Sequence, residues 1–186
     1  MNIIQLNKKP EFGSKNGYSI NGIWNSLVVR NGKNYRERVE ALIIKNNKVF
    51  LSIKPKSKSP YRIPGGSSEP GTSLKEQLQN ECKEEAKILI KNPIYICTYE
   101  KEYKNKDYAN ELPFQYSAYL THLYIATYNG KYNGFINECD LDNDMYKYGK
   151  FYDIDKVSNI LLDEHKFALF TIMNKDLSAI IESLLI

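Results

Sequence analysis

Tyr61-Arg62-Ile63-Pro64-Gly65-Gly66 is followed, after a short polar stretch, by Ser73-Leu74-Lys75-Glu76-Gln77-Leu78-Gln79-Asn80-Glu81-Cys82-Lys83-Glu84-Glu85-Ala86-Lys87-Ile88. These two segments decide the fold. In the first, Pro64 fixes the chain direction, and the two glycines allow close backbone approach with amides and carbonyls left available. In the second, Leu74, Leu78, Cys82, Ala86 and Leu89 recur at helical spacing, which predicts a helix over 73–88. Ser73 is placed to cap it, with Glu76 completing a capping box. At about 100° per residue, Glu85 falls inside the apolar arc, Glu81 at its edge and Glu84 beside it. Ionised carboxylates are costly to bury without a partner, and like charges one turn apart repel, so this edge calls for a compensating cation. No Arg or Lys occupies it. Carboxylate oxygens are hard ligands that suit Mg²⁺ or Mn²⁺. A solvated helix face with Lys83 and Lys87 interleaved is the plainer reading of the glutamates alone; the glycine loop upstream tips the balance towards a site for an anionic substrate.

Working outward, strands are expected on both sides of the helix. Residues 1–16 are polar and broken by Lys8-Lys9-Pro10 and by Gly13 and Gly17, and are expected to form a loose arm before a single domain over 17–186. Residues 20–30, 36–44 and 49–53 are β-rich and separated by the turn signals Asn31-Gly32 and Asn46-Asn47. A polar, Lys-rich loop covers 54–60. After the helix, 93–103 and 115–128 alternate as strands do around a charged loop at 104–113, and a short strand is expected at 147–153. Apolar residues at helical period over 163–185 predict a long terminal helix. The order implies a mixed α/β domain, a sheet covered by helices.

Composition narrows the function. Among 186 residues, 26 basic against 22 acidic side chains leave a formal charge of +4, and 42% hydrophobic residues are enough for a packed core. Only Arg30, Arg36, Arg38 and Arg62 are arginines, so the better fork for phosphate and guanine is scarce and general nucleic-acid binding is disfavoured. No apolar run approaches the roughly 18 to 20 residues of a membrane span, and the apolar stretch near Met1 is too short for a signal peptide, which points to a cytoplasmic protein. Cys82, Cys97 and Cys139 are odd in number and widely spaced, indicating neither a disulfide framework nor a zinc site. His122 and His165 pair with no nucleophile motif and are expected to be structural. The acidic run at 138–144 begins like a calcium loop, but Met145 stands where glycine is needed and Phe151 where a glutamate is needed.

The stretch from Arg62 to Ile88 resembles the box of the Nudix hydrolases, G-x5-E-x7-R-E-U-x-E-E-x-G-U, where U is a bulky apolar residue. Gly66, Glu81, Glu84, Glu85 and Ile88 match, Cys82 is a permissive U, and Pro64-Gly65 fits the usual lead-in. Three positions depart: Thr72 replaces Glu, Asn80 replaces Arg and Lys87 replaces Gly. The resemblance implies an α/β/α sandwich with a mixed sheet, and water-dependent cleavage of the diphosphate linkage in a nucleoside diphosphate derivative. It implies Glu81, Glu84 and Glu85 as catalytic, metal-binding residues for Mg²⁺ or Mn²⁺, with Gly65 or Gly66 adding a carbonyl. Arg62, Gly65 and Gly66 would meet substrate phosphates. Glu81 is the favoured base, with Glu100, Glu102 and Glu111 as loop rivals. Of Tyr99, Tyr103, Tyr108, Phe114 and Tyr116, any could stack on a base, though most are expected to pack in the sheet. Losing Glu at 72 together with Arg at 80 predicts a less firmly oriented Glu81 and weaker metal affinity. Lys87 predicts a helix running on until Asn92-Pro93. The alternative is a nucleotide-binding module with catalysis weakened. The implied partner is a small diphosphate compound, with capped RNA as the one nucleic acid substrate; no membrane is involved, and a homodimer through the early hairpins is plausible.

Overall fold

The computed structural model describes residues 2–20, 23–53, 61–102, 116, 118–133, 147–157, 159–161, 165, 166 and 170. The strands are β1 (Asn2–Ile4), β2 (Gly17–Ile20), β3 (Ile23–Arg30), β4 (Lys33–Lys45), β5 (Lys48–Ile53), β6 (Tyr61–Arg62), β7 (Gly65–Ser67), β8 (Ile88–Glu102), β9 (Ala118–Lys131) and β10 (Lys147–Asp153). Helix α1 spans Leu74–Ala86 and the short α2 spans Ile154–Val157. Asn31-Gly32 and Asn46-Asn47 all take positive φ, the conformation that closes two-residue hairpins, and so join β3 to β4 and β4 to β5 as expected.

Strand β4 is the hub. Along one edge it pairs in parallel with β9 from Tyr35 to Ile44. Its other edge is shared antiparallel by β3 at its start, β7 at its middle and β5 at its end. Strand β8 continues the sheet beyond β9, and β1 closes that side. Alternation along β4 sends Val39, Ala41 and Ile43 to one face, where Leu74, Leu78 and Cys82 of α1 cover them. Leu42 and Ile44 face the other side with Leu51, Leu123 and Ile125, packed by Ile154, Val157 and Leu161. The result is the mixed α/β architecture expected. The terminal helix foreseen over 163–185 lies outside the described residues except at 165, 166 and 170, as do the loops at 54–60 and 104–113 and the run 138–144. No helix among the described residues is long and apolar enough to cross a membrane.

Two expectations are corrected. Residues 1–16 are not loose where described: β1 pairs with β8, and Glu11 O and Gly13 N–H bond Leu74 N–H and Thr72 O at 2.9 and 2.8 Å. The Leu74 amide is one of the orphan donors at the start of α1, so the N-terminal segment caps the helix together with Ser73, whose Oγ accepts from the Glu76 amide at 3.5 Å. Nor does α1 run on past Lys87. That residue takes the left-handed conformation, φ 52° and ψ 40°, its N–H bonds the Cys82 and Lys83 carbonyls, and β8 begins at Ile88. The chain makes the glycine-type turn without a glycine, because pairing of β8 with β9 and the bond from Tyr132 N–H to Lys87 O at 2.9 Å hold it there. Lys87→Gly is therefore expected to stabilise the protein by about 1 kcal/mol in urea denaturation, by removing the Cβ strain. Asn92 also takes positive φ, and the pairing of β8 with β9 slips between Lys91 and Ile94, so Pro93 sits at a bulge inside the strand instead of before it.

Candidate functional site

Register along β4 places the glycine loop. Glu40 lies opposite Gly65, Val39 opposite Gly66 and Arg38 opposite Ser67. A Cβ at Gly65 would collide with the Val39 carbonyl, and one at Gly66 would fall on the Glu81 carboxylate. Glycine is thus required at Gly65 by the β4 backbone, whereas a side chain at Gly66 would displace the Glu81 carboxylate. The Gly65 amide donates to Glu85 Oε2 at 3.1 Å, joining the loop to the helix. Glu81 Oε1 accepts from Gln77 Nε2 at 3.4 Å. Glu81, Glu84 and Glu85 are all partly buried, so the helix edge read from the sequence does carry carboxylates out of bulk water.

The electrostatics of this edge are clearest at Glu81. Burial, reinforced by the charges of Glu85 and Glu84, pushes the Glu81 carboxyl up to about 8, and the Arg38 charge and the Gln77 amide only partly oppose this. The compensating cation that this edge calls for comes from outside the helix: Arg38 approaches from β4. Its Nη2 lies 3.5 Å from Gly65 O and 3.9 Å from Glu40 Oε1, and its guanidinium sits over the Tyr119 ring at 5.2 Å. The charges of Glu40, Glu81 and Glu85 hold the guanidinium above its ordinary value despite burial. Asn80 accepts a bond from Lys83 Nζ at 3.4 Å, along the helix.

Beneath Arg38 lies a buried polar set that the sequence did not reveal. Tyr99 donates to Glu40 Oε2 at 2.6 Å. His165 Nδ1 accepts from the Ile63 amide at 3.3 Å, so the ring proton resides on Nε2, which faces Glu40 Oε1 at 3.8 Å. Burial alone would raise the Glu40 carboxyl, but His165, Arg38 and Tyr99 together hold it down at about 2. A second set lies on the opposite face of β4. Glu37 accepts from Ser14 N–H at 2.8 Å and Ser68 Oγ at 3.1 Å, and its Oε1 is 2.8 Å from His122 Nε2. His122 Nδ1 in turn meets Thr98 Oγ1 at 2.7 Å. Both histidines hold buried glutamates of β4, in keeping with the structural role expected. The available signal was the charged run Arg36-Glu37-Arg38 leading into an apolar strand, where Glu37 and Glu40 have to find partners on being buried.

Other expected candidates fall elsewhere. Glu100 and Glu102 are part of β8 and not of a loop, and Glu100 accepts from Tyr35 at 2.8 Å and from Asn2. Tyr99 and Tyr116 are buried, which makes them packing residues; Tyr103, Tyr108, Phe114 and Glu111 lie outside the described residues. Arg62 sits in β6, its carbonyl accepting from Ser52 Oγ at 3.2 Å. Cys82 and Cys97 are buried in the core and in no disulfide, and Cys139 is not among the described residues.

The donor chemistry fits a divalent cation. The oxygens of Glu81 and Glu85 are hard donors, and the burial and neighbouring carboxylates that push the Glu81 carboxyl up to about 8 are what a bound cation would offset. Among the described residues no three His, Cys, Asp or Glu side chains converge into a ready-made cage. Remaining ligands would have to be water and substrate oxygens, the arrangement Mg²⁺ favours.

No family model and no curated protein matches the chain in sequence. Solved structures do match in shape. A Nudix hydrolase from Nitrosomonas europaea superposes with a TM-score of 0.56 at 16% identity, over 75% of this chain and 89% of that one. A MutT Nudix hydrolase from Burkholderia pseudomallei gives 0.55 at 16% identity, over 74% and 97%. The dihydroneopterin triphosphate pyrophosphohydrolase of E. coli gives 0.54 at 13% identity, over 72% and 91%. What is shared at this low identity is the course of the chain: it has the Nudix hydrolase fold.

Proposed function

We propose that the chain is a Mg²⁺- or Mn²⁺-dependent hydrolase that cleaves the diphosphate linkage of a nucleoside diphosphate derivative. The observation that carries this is the contact of the Gly65-Gly66 turn with Glu81 and Glu85 on one helix edge, where burial and the charges of Glu85 and Glu84 push the Glu81 carboxyl up. Glu81, Glu84 and Glu85 would hold the metal, with a carbonyl of Gly65 or Gly66. The bound ion would neutralise diphosphate oxygens and lower the pKa of a water. Glu81 is the favoured proton acceptor, because its carboxylate lies against the glycine turn where the phosphates would bind. Arg62, with the turn glycines, would meet the phosphates on the substrate side. A cytoplasmic location and a homodimer belong to the same proposal. The structural neighbour named as a pyrophosphohydrolase supports the reaction class.

The test is a panel of nucleoside triphosphates, dinucleoside polyphosphates, nucleotide sugars and capped RNA, incubated with either ion. Glu84→Gln and Glu85→Gln should each lower metal-dependent phosphate release by about 10²-fold or more while the melting curve is retained. Unchanged turnover in both would overturn the assignment. The second reading, a binding module with weakened catalysis, is favoured by Asn80, which bonds Lys83 and not a carboxylate. Calorimetric binding of nucleoside diphosphates without product would support it.

A further inference from the structure

Gly65 is bonded on both sides. Its N–H donates to Glu85 of α1, and its carbonyl faces Arg38 of β4. Arg38 is in turn fixed from two directions, by Glu40 two residues on along the same strand face and by the ring of Tyr119 on β9. Pairing of Gly65 with Glu40 and of Ser67 with Arg38 fixes the backbone register, which keeps the base of the Arg38 side chain beside the turn. At the helix position directly before Glu81, the side chain is the neutral Asn80, bonded along the helix to Lys83.

We propose that Arg38 is a positioning residue for the carboxylate edge: it holds the Gly65 turn against β4 and, through the Gly65 amide, the side chain of Glu85. The strand thereby supplies the orienting cation that Asn80 does not supply from the helix. A guanidinium suits this place better than an ammonium, because one nitrogen can meet both the carbonyl and the carboxylate while its planar face rests on an aromatic ring. The functional consequence rests on the reading of Glu81, Glu84 and Glu85 as metal ligands, whereas the geometry does not.

The experiment uses the full chain, with Mn²⁺ alone as the probe and amide hydrogen exchange at Gly65 in metal-free protein as a second readout. Arg38→Gln should speed Gly65 exchange about tenfold or more and weaken Mn²⁺ binding by about 10 to 100-fold, the range for residues that orient metal ligands. Arg38→Lys, which keeps the charge but not the planar face on Tyr119, should fall between, and it carries the same readouts if Arg38→Gln does not fold. Adding Asn80→Arg to either variant should restore Mn²⁺ affinity to within a few-fold of the original, a rescue that a purely structural arginine would not allow. Unchanged Gly65 exchange overturns the proposal, as does Mn²⁺ binding that stays the same or tightens, the result expected if Arg38 merely repels the ion. Failure of the Asn80→Arg rescue overturns the claim that strand replaces helix. If the unaltered protein binds no Mn²⁺ while Gly65 exchange still responds to Arg38→Gln, the metal reading fails and the positioning role stands.

Discussion

In metal-free protein at pH 8.5, Glu81→Gln is expected to raise the melting temperature by roughly 10 °C while lowering turnover of the metal-loaded protein by about 10² to 10⁴-fold. The Glu81 carboxyl is pushed up to about 8, first by burial and then by Glu85 and Glu84, against an ordinary value of 4.5 in the unfolded chain. A folded-state value above the unfolded one favours the fold while the group is protonated. That contribution is fully present below pH 4.5 and is lost as pH rises through 8. The loss amounts to roughly 3 to 5 kcal/mol. Melting of the metal-free protein should therefore decline between pH 5 and 8.5. Glutamine, which carries no charge to bury, should flatten the decline, and Mg²⁺ or Mn²⁺ should reverse it in the unaltered protein by stabilising the ionised form. Scanning calorimetry with chelator and with metal measures all three. A flat pH profile for the chelated protein would show that Glu81 does not occupy the environment described.

Glu40→Ala should destabilise the protein by about 3 to 5 kcal/mol in urea denaturation. Glu40 is buried between Tyr99, Arg38 and His165, and truncating it leaves the guanidinium without its partner on β4 and the Tyr99 hydroxyl without this acceptor. The acid limb of the stability curve reports on the same residue. Burial works against the ionised form, yet its partners hold the Glu40 carboxyl at about 2, below the 4.5 of an unperturbed group. A depressed value contributes stability above pH 4.5 that is lost as pH falls towards 2. Glu40→Gln should remove that part of the acid dependence, and keeping the amide as a hydrogen-bond acceptor should make it milder than Glu40→Ala. A cost below about 1 kcal/mol for the alanine variant would mean that this polar set does not anchor β4.

Much of the fold was legible because local signals agreed. Asn31-Gly32 and Asn46-Asn47 prescribe hairpins through residues that tolerate positive φ, and Leu74, Leu78, Cys82 and Ala86 prescribe a helix with one apolar face; all appear where expected. The N-terminal segment was misread because its residues have little local preference. They are ordered by non-local bonds, Glu11 and Gly13 to the start of α1 and Ser14 to Glu37. Lys87 was misread for the reverse reason: its own preference opposes the left-handed turn, but the pairing of β8 with β9 outweighs a local cost of about 1 kcal/mol.

The sequence by itself determined the helix with its three glutamates and the glycine turn before it, since spacing along the chain places carboxylates on one edge and frees the backbone where glycines stand. Only the tertiary structure decided what neutralises and orients them. Arg38 and Glu40 reach the site because β7 pairs with the middle of β4, and Tyr99 and His165 reach Glu40 from segments far along the chain. Side-chain periodicity reports which face of an element is buried, but not which partner a charge on that face will meet. That choice depends on strand order and register, which arise from pairings between residues remote in sequence.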